Sequence, residues 1–263
     1  MKEIYFENRL YLQSEKLCQT NLVNHGFTGS QGGVSDGKIK GLNLGFRVQD
    51  NPDNVIENYK LVSGDLKILF DRIVLSKQTH TDNIRIVTEE DAGKGISKIS
   101  DIEDTDGLIT NVKGIPLVVF SADCVPLLFL DPVREVVAAV HAGWRGTVKG
   151  TGKKCVNIMK DKFGCKAEDI IVAMGPSIGS CCFEFSKTDA DVFPEEFCRE
   201  INNEKVLVDV WGMNKKQLTD CGIPEENIDV SGVCTVCNSD MYYSYRTHRE
   251  NTGRQGAIIS LKV

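Results

Sequence analysis

Residues 116–147 read PLVVFSADCVPLLFLDPVREVVAAVHAGWRGT. Two apolar runs rich in Val, Leu and Phe flank Ser121-Ala122-Asp123-Cys124, and a third, Glu135 to Val140, delivers His141. Runs of this length bounded by Asp-Pro and Gly read as buried strands. Packing does not explain polar residues at their ends: Cys124 stands at the break between two strands, and His141 closes another. The glycine-rich turn Gly143-Trp144-Arg145-Gly146-Thr147 then leads into a helix. The pattern predicts an α/β fold with a chemical site gathered at strand ends.

Working outward, the helix after Thr147 is expected to reach Phe163, with Gly164 as its C-cap, and Ile170 to Met174 reads as another strand. Toward the N-terminus, 3–12 and 17–24 read as strands. A helix with Asp53 as candidate N-cap carries Val55, Tyr59, Val62 and Leu66 at helical spacing. Arg72 to Ser76 reads as a strand that delivers Gln78-Thr79-His80, and Ile84 to Val87 as the next. The acidic segment Glu89 to Asp106 reads as a loop with a solvated face, after which Asp106-Gly107-Leu108-Ile109-Thr110 opens the central region. Toward the C-terminus, an acidic helix is expected over 187–202, a second over 213–221 and a strand over 257–261. No repeat or linker divides the chain, so a single α/β domain over 1–263 is expected.

The 263 residues carry a net charge of −6, with 41% hydrophobic and 26% charged residues, as in globular proteins. Scattered basic residues argue against a nucleic-acid surface. No apolar run approaches the roughly 18 residues of a membrane helix. The charged N-terminus, MKEIYFENRLYLQSEK, lacks a signal-peptide core. Ten cysteines without an export signal read as reduced thiols, and the expected compartment is the cytoplasm. No coiled-coil heptad selects between a monomer and a homodimer.

Of the four histidines, His80 and His141 end apolar strands as Cys124 does. A His-Cys-His set matches catalytic zinc, which keeps three protein ligands and one open position. The same atoms also fit a Cys124 nucleophile activated by His141, with Asp123 orienting the histidine. Gly143 to Thr147 ahead of a helix, with Arg145, suits an anion such as phosphate. Thr147 to Lys154 is not a P-loop, because its first glycine and its Ser/Thr are missing. Asn43, between apolar neighbours, either caps a turn or serves the site. Cys234 and Cys237 form a lone C-x-x-C; zinc would need Cys181 and Cys182 brought alongside, and cysteines that pack without a metal are expected. Cytidine-type deaminases need H-x-E followed by P-C-x-x-C; here Val233 precedes Cys234, and His248-Arg249-Glu250 comes after the C-x-x-C, in the wrong order.

Several motifs together carry a family resemblance. They are His25-Gly26-Phe27 with Gly32-Gly33-Val34-Ser35, Leu42-Asn43-Leu44-Gly45, Gln78-Thr79-His80, Ala122-Asp123-Cys124-Val125-Pro126 and His141-Ala142-Gly143-Trp144-Arg145-Gly146-Thr147. Gly175-Pro176-Ser177-Ile178-Gly179 and Ser244-Tyr245-Arg246 with Gly253-Arg254 complete the set. On these the chain resembles the YfiH-like family, also called multicopper polyphenol oxidase or laccase-domain proteins. The resemblance implies a layered α/β sandwich of mixed sheet flanked by helices, similar to cytotoxic necrotizing factor toxin deamidases. It implies zinc, with copper as second choice, on His80, Cys124 and His141. It also implies phosphorolysis of adenosine, inosine and S-methyl-5′-thioadenosine, with adenosine deamination, so that purine nucleosides and phosphate are the partners. Asp123 and Arg145 are then the catalytic candidates, and Asn43, Arg145, Gly146 and Thr147 the substrate and phosphate candidates. The chain departs from the family at Ser30, where members carry Arg, and at Tyr59, where they have Arg after Asn. Four histidines cannot fill a multicopper oxidase, whose type-1 site alone takes two His and a Cys.

Overall fold

Every residue of Val125–Asp131 and Val136–Ala142 is buried in the computed structural model, which describes residues 1–263. Burial on both faces explains why these segments read as unbroken apolar runs rather than alternating ones. One six-stranded sheet has the order β1 (Lys2–Phe6), β2 (Arg9–Gln13), β3 (Val23–Thr28), β15 (Gln255–Leu261), β7 (Leu117–Ser121), β4 (Val74–Leu75). The other has the order β14 (Ile228–Val230), β10 (Ile171–Met174), β8 (Val125–Asp131), β9 (Val136–Ala142), β6 (Gly107–Thr110), β5 (Ile84–Ile86). A small third sheet is ordered β11 (Glu184–Ser186), β13 (Lys205–Val208), β12 (Cys198–Glu200). Most pairings are antiparallel. The exceptions are β4 with β7, β5 with β6 and β10 with β14.

Alternate side chains of each strand enter different cores. Leu128, Leu130, Val137 and Ala139 meet Leu117, Val119, Ala257 and Ile259 between the two large sheets. Leu127, Phe129, Ala138 and Val140 face the opposite way, against Val156 and Met159 of α4 (Thr151–Phe163) and Leu218 of α5 (Val210–Asp220). On the outer face of the first sheet, Val118 and Ile258 pack with Tyr59 and Val62 of α2 (Pro52–Leu66). The expected layered sandwich of mixed sheet and helices is therefore the fold, in the order helix, sheet, sheet, helix.

Several boundaries differ from expectation. Part of the strand expected over 17–24 is instead α1 (Glu15–Gln19), because the Ser14 side chain accepts the Leu17 N–H and starts a helix. α2 is capped by Asn51, whose side chain accepts the Asp53 N–H, with Pro52 at the first helical position. The helix expected from Thr147 begins earlier, as α3 (Trp144–Lys149), and breaks at Gly150 (φ 76°) before α4. Gly164, at φ 67°, is the C-cap that the sequence predicts. No long helix forms over 187–202: Pro194 cannot continue one, and the segment becomes short 3-10 turns and β12.

Candidate metal centre

The β8–β9 hairpin brings two of the three expected ligands together. Its register sets Pro126 opposite His141 and Val125 opposite Ala142, so Cys124, one residue before β8, meets the end of β9. At the turn, Asp131 Oδ1 accepts the N–H groups of Val133 and Arg134 and holds that register. The third ligand arrives from the loop after β4. His80 stands at φ 64°, a left-handed conformation that a non-glycine residue keeps only when its surroundings enforce it.

The enforcing group is Asp106. Its Oδ1 accepts the His80 N–H at 3.1 Å and faces His141 Nδ1 at 2.7 Å. Its Oδ2 accepts the N–H of Thr79 (3.1 Å), the N–H of Thr81 (2.8 Å) and the Thr81 hydroxyl (3.0 Å). One fully buried carboxylate thus positions both imidazoles. Burial raises its pKa, but hydrogen bonding to His141 and to the amides outweighs this and holds the carboxyl down at about 2. In the sequence Asp106 closes what reads as a solvated acidic loop. Its position directly before Gly107-Leu108-Ile109-Thr110 was the available sign that it sits inside.

With Nδ1 committed to Asp106, His141 turns its other ring nitrogen toward the cluster. Ligand atoms of His80, Cys124 and His141 all lie within 4.8 Å of one another. His80 Nε2 is 3.8 Å from Cys124 Sγ, and the two imidazoles meet edge to face with centroids 4.9 Å apart. Burial opposes ionisation of the Cys124 thiol, but His141 and then His80 more than offset it, bringing the thiol down to about 6. The Cys124 charge and Asp106 likewise overcome burial at His141 and raise it to about 9. Two imidazoles and one readily ionised thiol, ordered by a buried carboxylate, are a donor set for a single zinc or copper ion.

Space for an ion is kept open by Gly143. A Cβ there would stand 2.8 Å from His80 Cδ2 and 3.2 Å from Cys124 Sγ. Gly143→Ala is therefore expected to push the exposed His80 ring aside and weaken metal binding by about 10–100-fold, the cost of disturbing a ligand's support. Competition with a fluorescent chelator measures this, and a melting temperature near that of the unaltered protein shows that the fold survives.

These ligands open onto a cleft of about 650 Å³, within the range for small-molecule sites. Phe46, Trp144, Phe183 and Tyr245 contribute aromatic walls. Arg47, Arg145, Arg246 and Arg254 also line it, and no carboxylate pairs with any of the four. Arg145 instead stacks over Trp144 at 4.3 Å.

Asp123 reaches the cleft but is largely spoken for. At φ 86° it accepts the Thr235 hydroxyl on Oδ1 (2.7 Å) and the Arg246 N–H on Oδ2 (2.6 Å), while its carbonyl accepts the Ile178 N–H. Asn43, Gly146 and Thr147, expected to hold substrate or phosphate, do not line the cleft. Asn43 is a fully buried cap: its Oδ1 accepts the N–H groups of Gly45 and Arg254, and its Nδ2 donates to Asp50. Thr147 is buried against Ala142 O and Asn214, and Gly146 packs on Thr151. Arg254 and Arg246, by contrast, line the cleft from the motifs Gly253-Arg254 and Ser244-Tyr245-Arg246, which carry the family resemblance but no role legible from the sequence.

Residues 24–262 match the family described as "Multi-copper polyphenol oxidoreductase laccase". The chain belongs to this family. It is 34% identical to Purine nucleoside phosphorylase YlmD of Bacillus subtilis, over 95% of this chain and 94% of that protein. It is 31% identical to Adenosine deaminase RL5 from an unknown prokaryotic organism, over 84% of this chain and 88% of that protein. The crystal structure of the hypothetical protein YfiH from Bacillus licheniformis has the same fold, with a TM-score of 0.90 and 34% identity, covering 98% and 97% of the two chains. The multicopper part of the family's description does not suit this laccase-family chain. His25 is buried away from the cluster, where its Nε2 accepts the Ser14 N–H, and burial lowers its pKa to about 4. His248 lies on the short helix α6 (Tyr245–His248), outside the cluster. Two imidazoles remain, enough for one ion.

Proposed function

We propose that this protein is a zinc-dependent purine nucleoside enzyme. It cleaves adenosine, inosine and S-methyl-5′-thioadenosine by phosphorolysis and also deaminates adenosine. The observation that carries this reading is a three-ligand His-Cys-His set opening onto a cleft with aromatic walls and four arginines that have no carboxylate partner. The relatives' names, a phosphorylase and a deaminase, support the same reading.

His80, Cys124 and His141 hold the ion, which when bound supplies Lewis-acid polarisation beside the substrate. The aromatic walls take the flat purine, whose faces gain from stacking and burial. Arg145 holds phosphate together with Arg254, whose main-chain N–H is fixed by Asn43 Oδ1. In phosphorolysis a phosphate oxygen bonds to C1′ as the C1′–N9 bond breaks, and the electron pair leaves with the purine, which takes up a proton. In deamination water adds at C6 and ammonia leaves. Arginines concentrated near the dianion hold it against the sugar and lower the entropic cost of the encounter. Asp123, with both oxygens engaged, is a positioning residue that fixes the turn carrying Cys124.

A second reading has one observation in its favour. Cys124, His141 and Asp106 line up as nucleophile, base and orienter, with the thiol pKa brought down to about 6. This would be a metal-independent thiol hydrolase. The nucleoside reading is tested with zinc-loaded protein and the three nucleosides, with and without phosphate. Free base and the sugar 1-phosphate are expected only with phosphate, and ammonia from adenosine in either case. Absence of both base and ammonia overturns it.

A further inference from the structure

Four cysteines outside the cleft come together from two distant parts of the chain. Cys181 and Cys182 lie in the loop after β10, and Cys234 and Cys237 in the loop after β14, with all four sulfurs within 4.8 Å of one another. None is disulfide-bonded. Cys237 Sγ stands 3.6 Å from Cys181 Sγ and 3.5 Å from Cys182 Sγ. Four thiolates at about 2.3 Å from a tetrahedral zinc ion lie roughly 3.8 Å apart, so this spacing is that of a metal's thiolate shell.

The backbone around the quartet is built as for such a shell. Ser177 and Cys234 form a short parallel bridge, with the Ser177 N–H donating to Val233 O and the Thr235 N–H to Ser177 O. The bridge aims the Gly179 N–H at Cys234 Sγ, at 3.3 Å, and the N–H groups of Val236 and Cys237 also face that sulfur. No side chain other than another cysteine of the quartet hydrogen-bonds to these sulfurs, so no lysine or arginine neutralises them. At Gly179 a Cβ would meet Cys181 Sγ at 3.3 Å and Cys234 Cβ at 3.4 Å, which shows how closely the two loops are drawn together. Cys181 and Cys237 are exposed, Cys182 half-buried and Cys234 buried, giving an ion a way in from solvent.

We infer that Cys181, Cys182, Cys234 and Cys237 form a second metal centre, a closed tetrathiolate site for a thiophilic divalent cation of the zinc type. Four protein ligands leave no open position, so the ion is structural. Its place in the fold gives it a consequence for the cleft. Thr235, next to Cys234, donates its hydroxyl to Asp123 Oδ1, and the Ile178 N–H, from the same loop as Cys181, donates to the Asp123 carbonyl. The ion ties together the two loops that hold the residue before Cys124.

The test separates this centre from the first by using Cys124→Ala, which removes a ligand from the His-Cys-His set. Zinc-loaded, dialysed Cys124→Ala protein is expected to keep one zinc per chain, and its cobalt form to show the intense sulfur-to-metal charge-transfer absorption of a tetrathiolate. Protein with its native sequence needs no variant for a second readout. Iodoacetamide with peptide mass spectrometry should alkylate Cys181 and Cys237 at least 10-fold more slowly when zinc is present than after chelation, while exposed Cys18 reacts equally in both. Three results would overturn the proposal: no zinc retained by Cys124→Ala, labelling of Cys181 and Cys237 that ignores zinc, or a disulfide within the quartet in freshly purified, unoxidised protein.

Discussion

His80→Ala is expected to bind zinc weakly at the His-Cys-His centre, to lose at least ~100-fold in kcat/KM for phosphorolysis and deamination alike, and to remain folded. The size follows from the several kcal/mol that a Lewis-acid ion contributes to a transition state. The fold survives because His80 is exposed and joins no hydrophobic core. Its main-chain N–H, the group Asp106 binds, is untouched by the change. The variant also divides the two readings of Cys124. A thiol hydrolase built on Cys124, His141 and Asp106 does not require a second imidazole, so its Cys124-dependent turnover would persist. Nucleoside turnover equal to that of the native sequence, measured with metal content on the same sample, removes the ion from the mechanism.

Asp106→Asn tests the group that orders the centre. Both oxygens of Asp106 face donors only: the His80 N–H and His141 on one side, two amides and a hydroxyl from Thr79 and Thr81 on the other. An asparagine must turn its NH2 toward one side, so donor meets donor whichever way it lies. Facing His141, the amide drives the imidazole proton from Nδ1 to Nε2 and removes the lone pair a metal needs. Zinc affinity should fall about 10–100-fold, as for loss of a ligand's partner, and stability by about 2–4 kcal/mol, as for a broken buried network.

The pH dependence of stability has a definite sign. The Asp106 pKa is lowered on folding, so its stabilisation is complete above the unfolded value near 4 and is lost as pH falls toward 2. Allowing for water in the cleft, it amounts to about 1–2 kcal/mol. In metal-free protein, urea midpoints at pH 7 and pH 3 should differ more for the native sequence than for Asp106→Asn. Equal differences, with unchanged zinc affinity, would mean that Asp106 carries no such role.

Much of the site was legible because hairpin register is a local property. Once 125–131 and 136–142 are strands joined by a short turn, Cys124 and His141 must meet, and the sequence reading had both at strand ends. His80 could be named, but not brought to them, without Asp106. That carboxylate looked like part of a solvated run because composition cannot show that one acid among many faces inward. Of the two roles open to Asn43 the structure shows the turn cap, and Thr147, a substrate candidate through the family resemblance, satisfies backbone and side-chain groups under the surface. The helix expected from acidic composition over 187–202 does not form, because Pro194 interrupts it.

The amino-acid sequence by itself determined the central strands, the helix stop at Gly164, and a Cys-His pair at the end of a hairpin. Each of these follows from side-chain pattern, turn chemistry or backbone freedom within a few residues. Tertiary structure alone decided that His80 closes on Cys124 across 44 residues, that four arginines face one cleft, and that Cys181 and Cys182 reach Cys234 and Cys237. Such meetings depend on the paths of loops around the packed sheets, and those paths leave no period in the sequence.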